Sequence, residues 1–213
     1  MQVTDRGEPS AGVGILVFDG VEVLDFAGPF EVFSVTRRSG ESRLDGQSPM
    51  PPRLLSSGRR EITATGGLRV TADASLEDAA GLDALVIPGG YGVRALMADE
   101  AFLARLLQLS RDVELVMSVC TGAGVLARAG LLRQRRVTTH HAYLEWLAEL
   151  APDCEVVGDC RVVDEGDLVT AGGISAGIDA ALHLVERWQG RAVADETAAY
   201  MEYRRQPVGP GAA

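Results

Sequence analysis

Between Glu114 and Leu132 the chain reads ELVMSVCTGAGVLARAGLL: a short apolar run, one cysteine, then a helical pattern. Such an abrupt change of period predicts a buried parallel strand feeding its crossover helix. Cys120 falls on the turn between the two, beyond the carboxyl edge of the predicted sheet, where α/β proteins bind ligands. Unpaired N–H groups at the start of the following helix favour a thiolate there, and Cys120 is then the most reactive thiol of the chain. A lone cysteine in an apolar stretch also reads as a buried hydrophobe, but the strand–Cys–helix context tilts the reading toward a nucleophile. Thr121 is placed to cap the helix, Gly122, Ala123 and Gly124 permit close approach, and Gly130 followed by Leu131 is a helix stop.

The rest of the composition narrows the function classes. All 20 basic residues are Arg and the net charge is −10, which excludes Lys Schiff-base chemistry and a Lys-dependent phosphate loop and argues against a nucleic-acid surface. Mean hydropathy is +0.09, and no apolar run reaches the roughly 20 residues of a membrane helix. The first ten residues lack a signal-peptide core, so a cytoplasmic protein without membrane association is expected. Cys120, Cys154 and Cys160 form neither an even disulfide framework nor a zinc spacing.

Taken in order, Gly12–Phe18 predicts a central parallel strand ended by Asp19-Gly20, followed by a helix opened by Pro29. Asp25, between Leu24 and Phe26, is either the cap of that helix or a carboxyl that retains its proton; local sequence favours the cap. Arg53–Ser57 and Leu68–Ala72 are strand candidates for an edge or hairpin around Gly66-Gly67. Asp83–Pro88 is a core strand, and Gly89-Gly90 after it is either a plain turn or an oxyanion hole. Ala101–Ser110 is helical. Arg136–Thr139 predicts a strand before His140-His141 and an amphipathic helix; the two histidines, pointing ~100° apart on a helix, make a weak metal pair. Val156–Val163 and Asp167–Ala171 read as strands joined through Asp164-Glu165-Gly166. A strong helix follows, with Ile174, Ile178, Leu182, Val185 and Trp188 on one stripe and Gly190 as its stop, then a last helix over Val193–Tyr203. One domain over 12–203 is expected, with flexible tails at 1–11 and 204–213.

Five segments together resemble the ThiJ/PfpI superfamily, related to class I glutamine amidotransferases: GILVFDGVEVLDFAGPFEVF, LVIPGG, SVCTGAGVLARAGLL, TTHHAY and LVTAGGISAGIDAALHLVE. The resemblance runs from about Gly12 to Tyr203. It implies an α/β, flavodoxin-like, mostly parallel sheet sandwiched by helices, with Cys120 at a nucleophile elbow. Within the superfamily, the segments around Asp25 and Cys120 look most like the isocyanide hydratase branch and the ligand-binding half of AraC-type regulators. The chain ends soon after its last predicted helix, where such regulators continue into a helix-turn-helix domain, and this favours the stand-alone enzyme. PfpI-type peptidases place His where this chain has Thr121, and glyoxal-acting branches place Glu where it has Asp25; both activities are disfavoured.

The resemblance therefore implies a lyase that hydrates an organic isocyanide to an N-substituted formamide. Cys120 is its nucleophile, Asp25 its general acid/base and Thr121 a positioning group, while Gly89, Gly90 and Thr121 form the polar cradle for substrate. It implies no cofactor and no metal, a small-molecule substrate and a homodimer. The alternatives are a stand-alone small-molecule sensor and a glyoxalase- or deglycase-like enzyme.

Overall fold

The computed structural model of the chain describes residues 11–42, 46–79, 81–206 and 208. Its strands are β1 (Val13–Val17), β2 (Pro52–Ser56), β3 (Glu61–Thr63), β4 (Arg69–Thr71), β5 (Ala74–Ser75), β6 (Ala84–Ile87), β7 (Leu115–Val119), β8 (Arg136–Val137), β9 (Glu155–Val156), β10 (Val162–Asp164) and β11 (Leu168–Ala171). Its α-helices are α1 (Val23–Val35), α2 (Val93–Ala98), α3 (Glu100–Leu109), α4 (Gly122–Arg128), α5 (Leu144–Leu150), α6 (Ala176–Gln189) and α7 (Arg191–Tyr200).

Seven strands form the main sheet in the order β10-β11-β7-β6-β1-β2-β5, all parallel except β10, which pairs antiparallel with β11. Strands β1, β6 and β7 are buried along their whole length, as their unbroken apolar runs require of strands covered on both faces. From β1 the chain steps outward to β2, then returns to β6 on the other side. That reversal is the flavodoxin-like switch point, and it opens a crevice at the carboxyl edges of β1 and β6. Helices α1, α6 and α7 pack together as one group, and α2, α3, α4 and α5 as another.

Several local expectations are corrected. Helix α1 starts at Val23, so Pro29 lies inside it rather than opening it. The missing N–H of Pro29 leaves the helix one bond short at the Asp25 carbonyl. Tertiary packing outweighs that loss: Pro29 is buried against Gly177 of α6, where an added Cβ would sit 3.4 Å from Pro29 Cγ. The small hairpin pairs β3 with β4, while the strand at Arg53 joins the main sheet beside β1. The single strand expected over Val156–Val163 is two: β9, which pairs with β8, and β10, which forms the expected hairpin with β11.

Toward the end, α6 begins at Ala176 and excludes Ile174, and α7 ends at Tyr200. Gly190, with φ 89°, ends α6 as expected. The tail expected to be flexible from residue 204 is tied down at its start, because Arg205 is ion-paired to Glu186 and Asp195 and the Gln206 N–H donates to Asp179. The first ten residues, Pro207 and residues 209–213 lie outside the described residues. No helix among the described residues is long and apolar enough to cross a membrane.

Candidate active site

Neighbouring strands deliver the site. β1 leads to Asp25, β6 to Gly89 and Gly90, β7 to Cys120 and β11 to Ile174; because Ile87 is level with Ser118 and Val119 with Ala171, these segments leave the sheet side by side. Cys120 has φ 56°, a left-handed conformation that a residue with a Cβ adopts only when its surroundings enforce it. Here they do. The Cys120 N–H donates to the carbonyls of Ala171 (3.1 Å) and Gly172 (2.9 Å), and its carbonyl accepts from Thr139 Oγ1 at 2.7 Å. The elbow also needs Gly122, since a Cβ there would stand 2.0 Å from the Ile87 carbonyl oxygen.

Asp25 sits in the first turn of α1, fully buried. It does not cap the helix; its Oδ2 accepts the Gly89 N–H at 2.9 Å, and Oδ1 has no hydrogen bond of standard geometry. Burial raises its pKa to about 7, with the Glu22 charge adding to the rise, while the Gly89 N–H, the Cys120 thiol and the Ile174 N–H oppose it. Burial, then the Asp25 charge, pushes the Cys120 thiol up to about 12 against hydrogen bonds from the Thr121 and Ile174 backbones. The expected resting thiolate is therefore corrected. Desolvation of a 7% exposed cysteine beside a carboxylate outweighs the start of a short helix. Cys154 and Cys160, less buried, are also raised, chiefly by burial.

Thr121 occupies the N-cap position without capping: its Oγ1 instead accepts the Gly90 N–H at 3.1 Å. The Gly89 and Gly90 N–H groups, expected to cradle substrate, are thus already engaged by Asp25 and Thr121. Gly89 still has a steric role, because a Cβ there would lie 2.6 Å from Thr121 N and 2.9 Å from Asp25 Oδ2. The N–H groups that face the thiol belong to Thr121 and Ile174. Ile174, with φ 51°, has the spacing of a helix stripe; only the adjacent Gly172-Gly173 in the sequence marks a chain that is still turning there.

His140 and His141 are also corrected. They stack, with ring centroids 4.3 Å apart, because His140 has extended backbone angles and precedes a short 3₁₀ turn instead of lying on a helix. Among the described residues no three His, Cys, Asp or Glu side chains come together as a metal-binding group. Cys120 and Thr121 open onto a cavity of about 630 Å³, walled by Glu22, Met97, His140, Tyr143, Trp146 and Ile174 among others.

A parallel α/β sheet with an acid and a strained cysteine at its switch point defines a class, and the comparisons agree: the chain belongs to the DJ-1/PfpI family, whose pattern matches residues 11–187. Among its relatives, isonitrile hydratase of Pseudomonas putida is 35% identical over 195 residues, covering 92% of this chain and 79% of the relative. The HTH-type transcriptional regulator GbdR of Pseudomonas aeruginosa is 27% identical over 193 residues, and the chain spans about half (51%) of its length. The fold superposes on a ThiJ/PfpI family protein from Pseudomonas syringae with a TM-score of 0.79 at 24% identity, over 97% of this chain and 84% of that one.

Proposed function

We propose that this protein is an enzyme that hydrates an organic isocyanide to an N-substituted formamide. The observation that carries the reading is the buried contact of Asp25 with Cys120, in which the Asp25 charge raises the pKa of the thiol while the thiol, as a hydrogen-bond donor, favours the Asp25 carboxylate. Two such groups cannot both ionise cheaply, so as pH rises above about 7 the carboxyl ionises and the pair holds one proton, on sulfur, up to about 12. Similarity to isonitrile hydratase supports the same chemistry.

In the first step the Asp25 carboxylate takes the thiol proton as sulfur bonds to the terminal carbon of R–N≡C. The Thr121 and Ile174 N–H groups stabilise the developing thiolate. Asp25 then returns the proton to that carbon, giving the thioimidate R–N=CH–S–Cys120. Water adds across C=N, placing OH on carbon and H on nitrogen. Cleavage of the C–S bond releases R–NH–CHO and restores the thiol. Thr121 acts by holding Gly90, and the scheme uses no cofactor or metal. The same reading places the enzyme in the cytoplasm as a homodimer, the latter carried over from the family resemblance alone.

Similarity to a regulator supports a second reading, a small-molecule sensor. Purified protein assayed with ethyl isocyanide and, in parallel, methylglyoxal separates these readings. Formamide production abolished by Cys120→Ser supports hydration. Turnover of methylglyoxal alone points to the glyoxal-acting branch, and turnover of neither, with ligand binding retained, to the sensor.

A further inference from the structure

Apart from Thr139, whose hydroxyl braces the Cys120 carbonyl, the TTHHAY segment has no part in the Asp25–Cys120 chemistry, yet with Trp146 it builds one continuous structure beside it. The stacked His140 and His141 rings are followed by Tyr143, which meets His140 edge-on at 5.8 Å, and by Trp146, which meets Tyr143 edge-on at 5.9 Å. His140, Tyr143 and Trp146 all wall the cavity that contains Cys120. Two of these rings are seated directly on backbone. A Cβ on Gly173 would lie 2.1 Å from His140 Cδ2, and one on Gly124 would lie 2.1 Å from Trp146 Cη2. Gly124 lies in the first turn of α4, the helix that follows Cys120.

The wall is also uncharged at neutral pH where His140 forms it. Burial, and then His141, lowers the His140 pKa, and its Nδ1 accepts the Ala142 N–H at 3.2 Å. Val93 and Met97 add apolar surface. A cavity of about 630 Å³ falls within the range, about 300–1,000 Å³, that takes ligands of drug size. An isocyano group alone leaves most of it empty.

We infer that the row His140, Tyr143 and Trp146 is a subsite for a planar aromatic group, and that the isocyanide this protein takes carries an aryl substituent. The second half rests on the hydration reading; the subsite does not. Edge and face contacts between rings are favourable beyond the area they bury, which an alkyl group of equal size does not reproduce.

Two formamides of matched ring size, N-phenylformamide and N-cyclohexylformamide, test this without depending on reactivity. The chain has two Trp residues, and Trp188 lies away from the site, with its Nε1 donating to Glu114 ahead of β7. In a Trp188→Phe background, Trp146 fluorescence therefore reports occupancy. The phenyl compound is expected to bind on the order of two- to tenfold more tightly, with Trp146→Leu, or Tyr143→Leu if the first folds poorly, removing the preference in calorimetry. Equal or tighter binding of the cyclohexyl compound overturns the subsite. Phenyl preference in a protein that hydrates neither phenyl nor ethyl isocyanide sinks the hydration reading and leaves the subsite. Turnover of ethyl isocyanide without phenyl preference does the reverse.

Discussion

The Asp25→Asn variant should be less active and, at alkaline pH, more stable than the parent in relative terms. In the folded protein the Asp25 pKa is about 7, above its ordinary 3.8. A folded pKa raised in this way contributes stability that is fully present below about 3.8 and is lost as pH rises through about 7. The unfolded chain ionises first, and the folded one must then bury the charge. The span from 3.8 to about 7 corresponds to roughly 4 kcal/mol at about 1.4 kcal/mol per pH unit. Asn keeps an acceptor for the Gly89 N–H but places an amide where Oδ1 has no hydrogen bond of standard geometry, a pH-independent cost of about 1–3 kcal/mol. Urea unfolding at pH 4 should therefore find the variant less stable, and at pH 8 the difference should have moved by ~4 kcal/mol in its favour. Isocyanide hydration should fall ~10²–10⁴-fold, even as the Cys120 pKa drops with the loss of the Asp25 charge. A stability difference that stays flat between pH 4 and pH 8 would show that Asp25 titrates as an ordinary carboxyl, and the proton-sharing argument would fail.

Gly122→Ala pushes a methyl group to 2.0 Å from the Ile87 carbonyl, a rigid strand atom, and should cost about 3 kcal/mol or more; an unchanged melting temperature would refute the tight elbow. Arg161→Met strips the fully buried Asp179 carboxylate of its charge partner, whose Nε donates at 2.7 Å, and leaves it only Tyr203 Oη and the Gln206 N–H. Arg161 is itself partly exposed, so the low end of the usual ~3–5 kcal/mol is expected by urea unfolding, and a loss under ~1 kcal/mol would overturn it.

What the amino-acid sequence determined by itself was whatever repeats over a few residues. The apolar runs at Val13–Val17, Ala84–Ile87 and Leu115–Val119, the turn at Cys120 and the Gly130 and Gly190 stops are local patterns, and each recurs in the structure. The family followed because five such segments occur in one order. The tertiary structure decided what depends on segments distant in the chain. Pro29 is held inside α1 by α6, Asp25 bonds Gly89 instead of a helix end, and the Gly89 and Gly90 N–H groups are taken by side chains from α1 and the Cys120 turn. Ile174 leaves its apparent helix stripe because β11 delivers it beside Cys120. The protonation of the pair is of the same kind. A helix start near a cysteine is visible in the sequence, but burial and the approach of a second acid are not, and in a site shielded from water desolvation and the neighbouring charge outweigh the helix.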